Sequence, residues 1–354
     1  MTHSLLKNGV YIYDYMNKSR ILFICKKRST YGVSYGLLNS CRFLCNTLET
    51  MGCDSKIAEV IDNNCIDMAV SQYNPTHVFI EALWVVPSKF KELIPLHPKV
   101  KWYVRLHSNT PFLSSEGMAI EWIVEYLALG IEYPQFKVAC NSDKLVNDLE
   151  GSLGVKTVYA PNVYMPKDEV ESASNIIPSD NNTINIASFG AIRPLKNQLI
   201  QAMAAIAFAK KIGKTLHYHI NSSRVEVNGE PTLRNIQALF AVTGNKLIVH
   251  EWLDWHNFIK LVRTMDLGLQ VSLSETFNIV CSDFAYANVP IVGSKEIEWL
   301  SPLYQANCTD IKDIVEHLNF AWEGKKFNLQ SDNRRGLREW NEEACEAWKK
   351  LLKK

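Results

Sequence analysis

The stretch "SETFNIVCSDFAYANVPIVG", residues 274–293, decides the fold of this chain. It follows the apolar run "MDLGLQVSL", which predicts a β-strand, and it ends in a second predicted strand, "VPIVG". The segment from Phe277 predicts a helix, so the stretch belongs to a strand–helix–strand unit of a parallel sheet. Glu275 lies at the start of that helix, where an acid can simply complement the positive helix end. Asp283 lies two turns further on.

The same alternation of strands and helices extends over the whole chain. In the first half, strands are predicted at 20–25, 55–60, 76–83, 100–107, 136–142 and 156–164. After them, strands are predicted at 184–190, 216–221 and 246–253, with a helix at 197–213. Residues 165–183 are polar and proline-flanked, which predicts a linker. We therefore predict an α/β protein with a Rossmann-like domain at 1–164, a second at 184–330 and a C-terminal helix at 331–354.

Composition excludes several classes of protein. Apolar residues make up 47% and charged residues 21% of the 354 residues, and the net charge is +1. A neutral globular chain of this kind carries no strong field for nucleic acid or acidic membrane. The nine cysteines are scattered without a CxxC pair, and no signal peptide or apolar membrane span is visible. These features predict reduced thiols, no zinc site and a cytoplasmic protein.

Ligands of open parallel sheets bind beyond the carboxyl ends of the strands. With two such sheets face to face, these ends would line one interdomain cleft. The candidate positions are Gly32–Gly36, Glu81, His107–Asn109, Gly190–Lys196, His250–Leu253 and Ser274–Asn278. Arg193 and Lys196 follow a strand and precede a helix, so they favour a diphosphate site, although an isolated Arg-x-x-Lys is usually a pair of solvated loop charges.

The carboxylates of the opening stretch have two possible roles each. The backbone amides of Thr276, Phe277 and Asn278 would face the same phosphates, and Glu275 would then point to the group that the diphosphate carries. Asp283 could accept a hydrogen bond from a ribose hydroxyl. The alternatives are that Glu275 only complements the helix dipole and that Asp283 is a solvated helix position.

Two motifs give the chain a resemblance to a known family. "FGAIRPLKNQ" (189–198) resembles the Gly-Arg-…-Lys-Gly loop of the retaining GT-B glycosyltransferases of the GT4 group, and "SETFNIVCSDFAYANVPIVG" resembles their Glu-x7-Glu element. The resemblance spans residues 184–300 and, more loosely, the whole chain. It implies a GT-B fold whose C-terminal helix crosses back to the first domain. Asp283 replaces the usual glutamate, and Asn197 and Asn278 replace glycines of the family pattern.

The resemblance also implies roles for individual residues. The implied donor-binding residues are Gly190, Arg193, Lys196, Ser274, Thr276, Phe277, Asn278, Asp283 and, from the first domain, Gly32. Glu275 would hold the transferred sugar. His107 would lie near that sugar, and a histidine with one structural hydrogen bond is the equally open alternative. Arg105, two residues earlier, is interpreted as structural.

The activity implied by the resemblance is transfer of a sugar from a nucleotide-diphosphate sugar to a hydroxyl group, with retention of anomeric configuration. Fixed cations and helix ends would stabilise the leaving diphosphate, so no metal or other cofactor is expected. "FICKKRSTYG", "FIEALW" and "RLHS" resemble glycosyltransferases of large tailed phages, whose acceptors can be glycans or hydroxymethylated DNA. Lys26, Lys27 and Arg28 could contact a phosphate backbone.

Two other classes of function remain open. The same fold could serve a sugar-nucleotide epimerase or a phosphorylase, which would need proton-transferring acids or a lysine-bound pyridoxal phosphate, respectively. It could also serve a catalytically silent module that binds DNA or a partner protein.

Overall fold

The computed structural model describes residues 19–27, 35–167, 182–226 and 228–353. These residues divide into two compact units. The first contains the described residues up to Lys167 together with those from Asn341 onward, and the second contains those up to Trp340. Most of the predicted linker lies outside the described residues, as does Gly32.

The first unit contains a six-stranded sheet in which all neighbouring strands are parallel. Its strands are β1 (Arg20–Lys26), β2 (Asp54–Val60), β3 (His77–Glu81), β4 (Lys101–Leu106), β5 (Phe136–Cys140) and β6 (Val158–Tyr159). Their order across the sheet is β2-β1-β3-β4-β5-β6. The switch point of this sheet lies between β1 and β3, because the chain leaves these two strands toward opposite edges.

Helices connect the strands of the first unit. They are α1 (Tyr35–Thr50), α2 (Ile66–Tyr73), α3 (Pro87–Leu96), α4 (Thr110–Leu113), α5 (Ala119–Glu132) and α6 (Asp143–Leu153). The central strands β1, β3 and β4 are nearly continuous runs of buried residues, as in sheets that are covered on both faces.

The second unit contains another six-stranded parallel sheet. Its strands are β7 (Thr183–Ser188), β8 (Thr215–Asn221), β9 (Lys246–His250), β10 (Leu267–Gln270), β11 (Ile291–Ser294) and β12 (Gln305–Ala306). The order β12-β11-β10-β7-β8-β9 is the 3-2-1-4-5-6 order of the Rossmann fold when the strands are counted from β7. Its switch point lies between β7 and β10.

Five helices lie wholly within the described part of the second unit. They are α7 (Gln198–Lys211), α8 (Glu230–Ala241), α9 (Trp255–Val262), α10 (Ile279–Tyr286) and α11 (Ile311–Gly324). The last helix, α12 (Ser331–Lys353), begins in the second unit and ends in the first. None of the helices in the described segments is long and apolar enough to cross a membrane.

Helix α12 is built into the core of each unit. In the second unit, Gly336 lies against the carbonyl oxygen of Trp299, and a Cβ at position 336 would approach that oxygen to 2.2 Å. In the first unit, Asn341 exchanges two hydrogen bonds of 2.9 Å with the backbone of Tyr164. Trp348 is fully buried, packs edge-on against Phe79 of β3 and donates to a backbone carbonyl. Both units therefore depend on this one helix for packing.

Several predicted boundaries differ from the structure. The helix expected from Phe277 begins at Ile279, because Asn278 caps it and stands outside it. The strand expected at 156–164 has only two residues, and the one expected at 246–253 ends at His250. Periodicity also missed α2, a helix of eight residues that is too short to show a clear pattern.

Burial of a neutral histidine should make the stability of the first unit depend on pH. Burial, with a smaller effect of Lys101, lowers the pKa of His77 from 6.5 to about 4. The unfolded chain therefore binds a proton in this interval and the folded chain does not, so stability falls as pH falls through it. We expect His77 to contribute a loss of about 2 kcal/mol in the free energy of unfolding between pH 6.5 and 5.

Urea unfolding over this pH range tests the expectation. His77→Gln should flatten the pH dependence, whereas the same substitution at the exposed His256 should leave its slope unchanged. Equal slopes for His77→Gln and the parent protein would contradict the assignment to His77.

Candidate functional site

The switch point of the second unit brings together the two motifs found in the sequence. Arg193 and Lys196 lie in the loop after β7, and Ser274 and Glu275 lie in the segment after β10, the neighbouring strand. A crevice at this point of a doubly wound sheet is the usual place for a ligand. The topology therefore explains why segments 78 or more residues apart meet here.

Lys196 and Glu275 form the central contact of this site. The Lys196 Nζ donates to Glu275 Oε1, and the two side chains are only 14% and 7% exposed. Burial lowers the pKa of Lys196, while the nearby carboxylate of Glu275 opposes this effect. A largely desolvated ammonium ion next to a carboxylate can exchange this partner for the oxygens of an incoming anion.

Arg193 lies beside this pair but is engaged elsewhere. Its Nη1 donates to Glu226 Oε2 at 2.9 Å, and Arg224 contacts the other oxygen of Glu226 at 2.6 Å. Burial raises the pKa of Glu226, and the two arginines outweigh it, so the pKa lies below its usual value. Glu226 was not predicted from the sequence, because it lies in an irregular loop with no periodic signal.

Asn197 and Asn278, where the sequence resemblance leads one to expect glycines, have left-handed backbone conformations. Asn197 has φ +59° and Asn278 has φ +58°. Asparagine tolerates this region better than other residues with a Cβ. Both side chains also make buried hydrogen bonds: Asn197 Nδ2 to the Val271 and Cys308 carbonyls, and Asn278 Nδ2 to Gln270 Oε1. Both asparagines thus have the backbone conformation that a glycine would readily adopt.

The start of α10 offers backbone donors near Glu275. Asn278 caps the helix by accepting from the Cys281 amide, and its own N–H and that of Phe277 make no hydrogen bond within the described residues. Phe277 is buried against Trp299, whose Nε1 donates to the Phe277 carbonyl at 2.8 Å. Amides at a helix start can bind an anion. Thr276, between Glu275 and Phe277, is half-buried.

Asp283 is not a solvated helix position. It is 4% exposed, on the buried side of α10, and its Oδ1 accepts a hydrogen bond of 3.0 Å from Trp255 Nε1. Trp255 begins α9, so the carboxylate links two helix segments beside the sheet. A possible contact with a ribose hydroxyl stays a prediction.

Gly190 begins the loop after β7 with a backbone conformation that favours glycine. Its φ of +120° is a conformation that side chains rarely adopt, and its N–H donates to Asn221 Oδ1 at 3.1 Å. Asn221 ends β8, so this contact fixes the start of the Arg193–Lys196 loop to the neighbouring strand. The predicted role of Gly190 in donor binding remains a prediction.

His107 lies in the first unit, at the end of β4, in a buried polar network. Its Nε2 is 2.5 Å from Glu81 Oε2, the oxygen that also accepts from Arg105 Nη1 at 2.9 Å. Arg105 donates further to the Ala160 carbonyl and to Asn162 Oδ1, so its predicted structural role agrees with its contacts. Burial and the nearby Arg105 lower the pKa of His107, which keeps the ring neutral at pH 7.

No metal centre is indicated in the part of the chain that is described. No group of three or more His, Cys, Asp or Glu side chains in these segments is arranged to hold a metal ion. The described cysteines are free thiols, and burial raises the pKa of several of them, for example that of Cys53 to about 11.

Comparison with known proteins gives matches in structure only. No protein-family model matches the sequence, and no curated protein matches it. Among solved structures, OtsA in its apo form has a TM-score of 0.68 at 12% identity, covering 95% of this chain and 99% of OtsA. Anabaena HepE in complex with UDP and glucose has a TM-score of 0.63 at 13% identity, covering 93% of this chain and 99% of HepE.

A third similar structure is a UDP-forming α,α-trehalose-phosphate synthase from Burkholderia xenovorans. Its TM-score is 0.62 at 12% identity, and the match covers 94% of this chain and 97% of the synthase. At such low identity the likeness shows the fold. The predicted fold class, two Rossmann-like domains of the GT-B type, is confirmed.

Proposed function

We propose that this protein is a glycosyltransferase that uses a nucleotide-diphosphate sugar as donor. The observation that carries the proposal is the meeting of Lys196, Glu275 and the start of α10 at the switch point of the second unit. Similar solved structures support it, since they include a trehalose-phosphate synthase and a protein in complex with UDP and glucose.

Each group at this site has a place in the proposed reaction. Lys196 and Arg193 would neutralise the diphosphate, with the Phe277 and Asn278 amides donating to its oxygens. Lys196 would then exchange its contact with Glu275 for the phosphate, which leaves the carboxylate to accept from sugar hydroxyls. Because the Phe277 and Asn278 amides are fixed by the backbone before the ligand arrives, they stabilise the charge that develops on the leaving group.

Three finer features belong to the same proposal. The transfer retains anomeric configuration, needs no metal ion, and delivers the sugar to a hydroxyl of a glycan or of a modified DNA base. Configuration is retained when the incoming hydroxyl approaches on the face that the diphosphate leaves: its oxygen bonds to the anomeric carbon as the bond from that carbon to the diphosphate oxygen breaks. The leaving phosphate takes the proton of the hydroxyl, so no separate general base is needed. Full activity in EDTA would support metal independence, and loss that Mg²⁺ or Mn²⁺ restores would contradict it.

Thermal shift with UDP, GDP, ADP and their glucose conjugates tests the donor site. The nucleotides that carry one of the three bases should raise the melting temperature of the protein. A ligand at 100 times its Kd adds about 2.7 kcal/mol to the free energy of unfolding. No shift by any of them at millimolar concentration would contradict the proposal. Salt-dependent DNA binding without transfer would instead indicate a silent binding module.

Glu275→Gln should separate binding from turnover. We expect the nucleotide-induced thermal shift to persist, since glutamine removes a charge that opposes the diphosphate, while kcat falls by about 100-fold or more. Isothermal titration and a nucleotide-release assay measure the two quantities. Glu316→Gln, an exposed site on α11 of the same unit, is the matched control and should change neither. An equal loss of binding and turnover in Glu275→Gln would assign Glu275 to the fold alone.

A further inference from the structure

A short segment after β8 is attached to the loop that carries Arg193. The two backbones form a one-residue parallel bridge between Ile192 and Val225. The Ile192 amide donates to the Arg224 carbonyl at 3.0 Å, and the Glu226 amide donates to the Ile192 carbonyl at 3.0 Å. Because the bridge pairs position 192 with position 225, the residues that follow them, Arg193 and Glu226, lie side by side.

The close approach of these two backbones depends on a glycine. Gly229 lies against the Ile192 carbonyl oxygen, and a Cβ at position 229 would come within 2.1 Å of that oxygen. This distance is far shorter than van der Waals contact, so any other residue would push the two segments apart. Gly229 also donates its amide to the Glu226 carbonyl at 2.8 Å, which links the glycine directly to the residue beside Arg193. The backbone therefore fixes where Glu226 stands.

The carboxylate of Glu226 contacts an arginine on each of its oxygens. Oε2 accepts from Arg193 Nη1 at 2.9 Å, and Oε1 lies 2.6 Å from Arg224 Nη2. The three side chains are between 17% and 23% exposed, and ion pairs with this much access to water contribute little to folding stability. Arg224 thus holds the carboxylate in place while the other oxygen binds Arg193.

These charges belong to the same site as Lys196. Burial has the largest effect on the pKa of Lys196 and lowers it, while among the nearby charges Glu275 and Glu226 raise it and Arg193 lowers it. The charge of Glu226 therefore acts at the position proposed for the diphosphate. A guanidinium has five N–H donors in a planar fork, so it can bind a carboxylate on one edge and a phosphate on another.

Glu226 has two opposite effects on an anion bound at this site. Its negative charge repels the anion, although water and salt screen this repulsion because the group is partly exposed. Its contact with Arg193 favours binding, because an arginine side chain that is already ordered loses less conformational entropy when a ligand arrives. Ordering one such side chain in advance corresponds to roughly 2- to 12-fold in affinity, and we expect this effect to exceed the screened repulsion.

We propose that Glu226 is a positioning residue of the donor site, which holds the Arg193 guanidinium in the orientation that meets the diphosphate. The inference rests on the proposed function and adds to it a residue that acts through Arg193 rather than on the ligand. Arg224 and Gly229 serve the same purpose, since they fix Glu226. Without this role, a carboxylate next to a site for an anion would only weaken binding.

Isothermal titration of the full chain with inorganic pyrophosphate and with UDP, GDP and ADP tests the inference. Glu226→Ala should weaken binding of pyrophosphate and of the preferred nucleotide by about 10-fold, although it removes a negative charge. Glu226→Gln removes the same charge but keeps an oxygen that accepts from Arg193, so its affinity should stay within about threefold of the parent protein. Glu230→Ala, at the exposed first residue of α8, is the matched control and should change affinity by less than about twofold.

A double-mutant cycle separates positioning from a general effect on the loop. In an Arg193→Met background, Glu226→Ala should not change affinity further, because the side chain that Glu226 positions is absent. Loosening of the loop would instead lower affinity in both backgrounds. Melting curves without ligand identify any variant that has lost its fold. Glu226→Asp is the second variant: it keeps the charge but is one methylene shorter, so it should lose affinity as Glu226→Ala does.

The outcomes distinguish this inference from the proposed function. If folded Glu226→Ala binds pyrophosphate as tightly as the parent protein or more tightly, or if it loses as much affinity in the Arg193→Met background, the inference is wrong, while sugar transfer by the parent protein would leave the proposed function standing. Weaker pyrophosphate binding in Glu226→Ala without transfer from any sugar nucleotide would do the reverse. A parent protein that binds neither pyrophosphate nor any of the nucleotides would overturn both.

Discussion

Lys196→Ala should abolish the nucleotide-induced thermal shift and lower kcat/KM by about 100- to 1,000-fold, the usual cost of removing one fixed donor to a developing anion. The loss is expected to be large because the ammonium ion is largely desolvated and its only described ion pair is with Glu275. Removing Lys196 also leaves that carboxylate unpaired next to the expected diphosphate position, which adds repulsion to the lost attraction.

The control for this variant is Lys210→Ala. Lys210 is an exposed lysine in the last turn of α7, in the same unit, and its removal should leave affinity and rate within twofold. Lys196→Arg keeps the charge but changes the geometry, so partial recovery is expected. Full nucleotide binding by folded Lys196→Ala would remove the principal support for the donor site.

Arg105→Met should cause the largest loss of stability, about 3–5 kcal/mol in the free energy of unfolding. Arg105 and Glu81 are both 0% exposed, and the guanidinium also satisfies the Ala160 carbonyl and Asn162. Methionine fills a similar volume but leaves a buried carboxylate without its arginine. Urea unfolding at pH 7, followed by tryptophan fluorescence and circular dichroism, measures the change.

Two further variants separate lost charge pairing from lost packing. Arg105→Met combined with Glu81→Gln should recover part of the loss, because the buried charge is then absent. Arg335→Met, at a 60% exposed arginine on α12, should change stability by less than about 1 kcal/mol. A single-variant loss below about 1 kcal/mol for Arg105→Met would show that the network is not a determinant of stability.

Local pattern was enough to predict every described strand except the two-residue β12, and to predict that Lys196 and Glu275 meet at the second switch point. Lys196 and Glu275 both follow predicted strands, and the fold places the ends of β7 and β10 side by side. The pairing of Arg193 with Glu226 could not be predicted in the same way, because Glu226 belongs to an irregular loop after β8. Such contacts depend on how a loop folds back, which no period in the sequence encodes.

The carboxylates of Asp283 and Glu81 also make contacts that the sequence pattern does not predict. Asp283 was placed on the correct helix, but its side chain packs against Trp255, a neighbour that only the tertiary structure reveals. Glu81 was one of several strand-end candidates. One of its oxygens accepts from Arg105 and contacts His107, while the other has no hydrogen-bond partner among the described residues, and this arrangement depends on how β3 and β4 lie side by side.

The shared helix α12 has a consequence for biosynthesis. Most of the first unit is translated before the second, yet its core includes Trp348, and Asn341 bonds to the backbone of Tyr164. The ribosome must therefore release the chain at least as far as Trp348 before this unit can finish folding. A nascent chain stalled at residue 340 would expose the apolar surface around Phe79, which makes it a natural client for chaperones and an unsuitable fragment for expression.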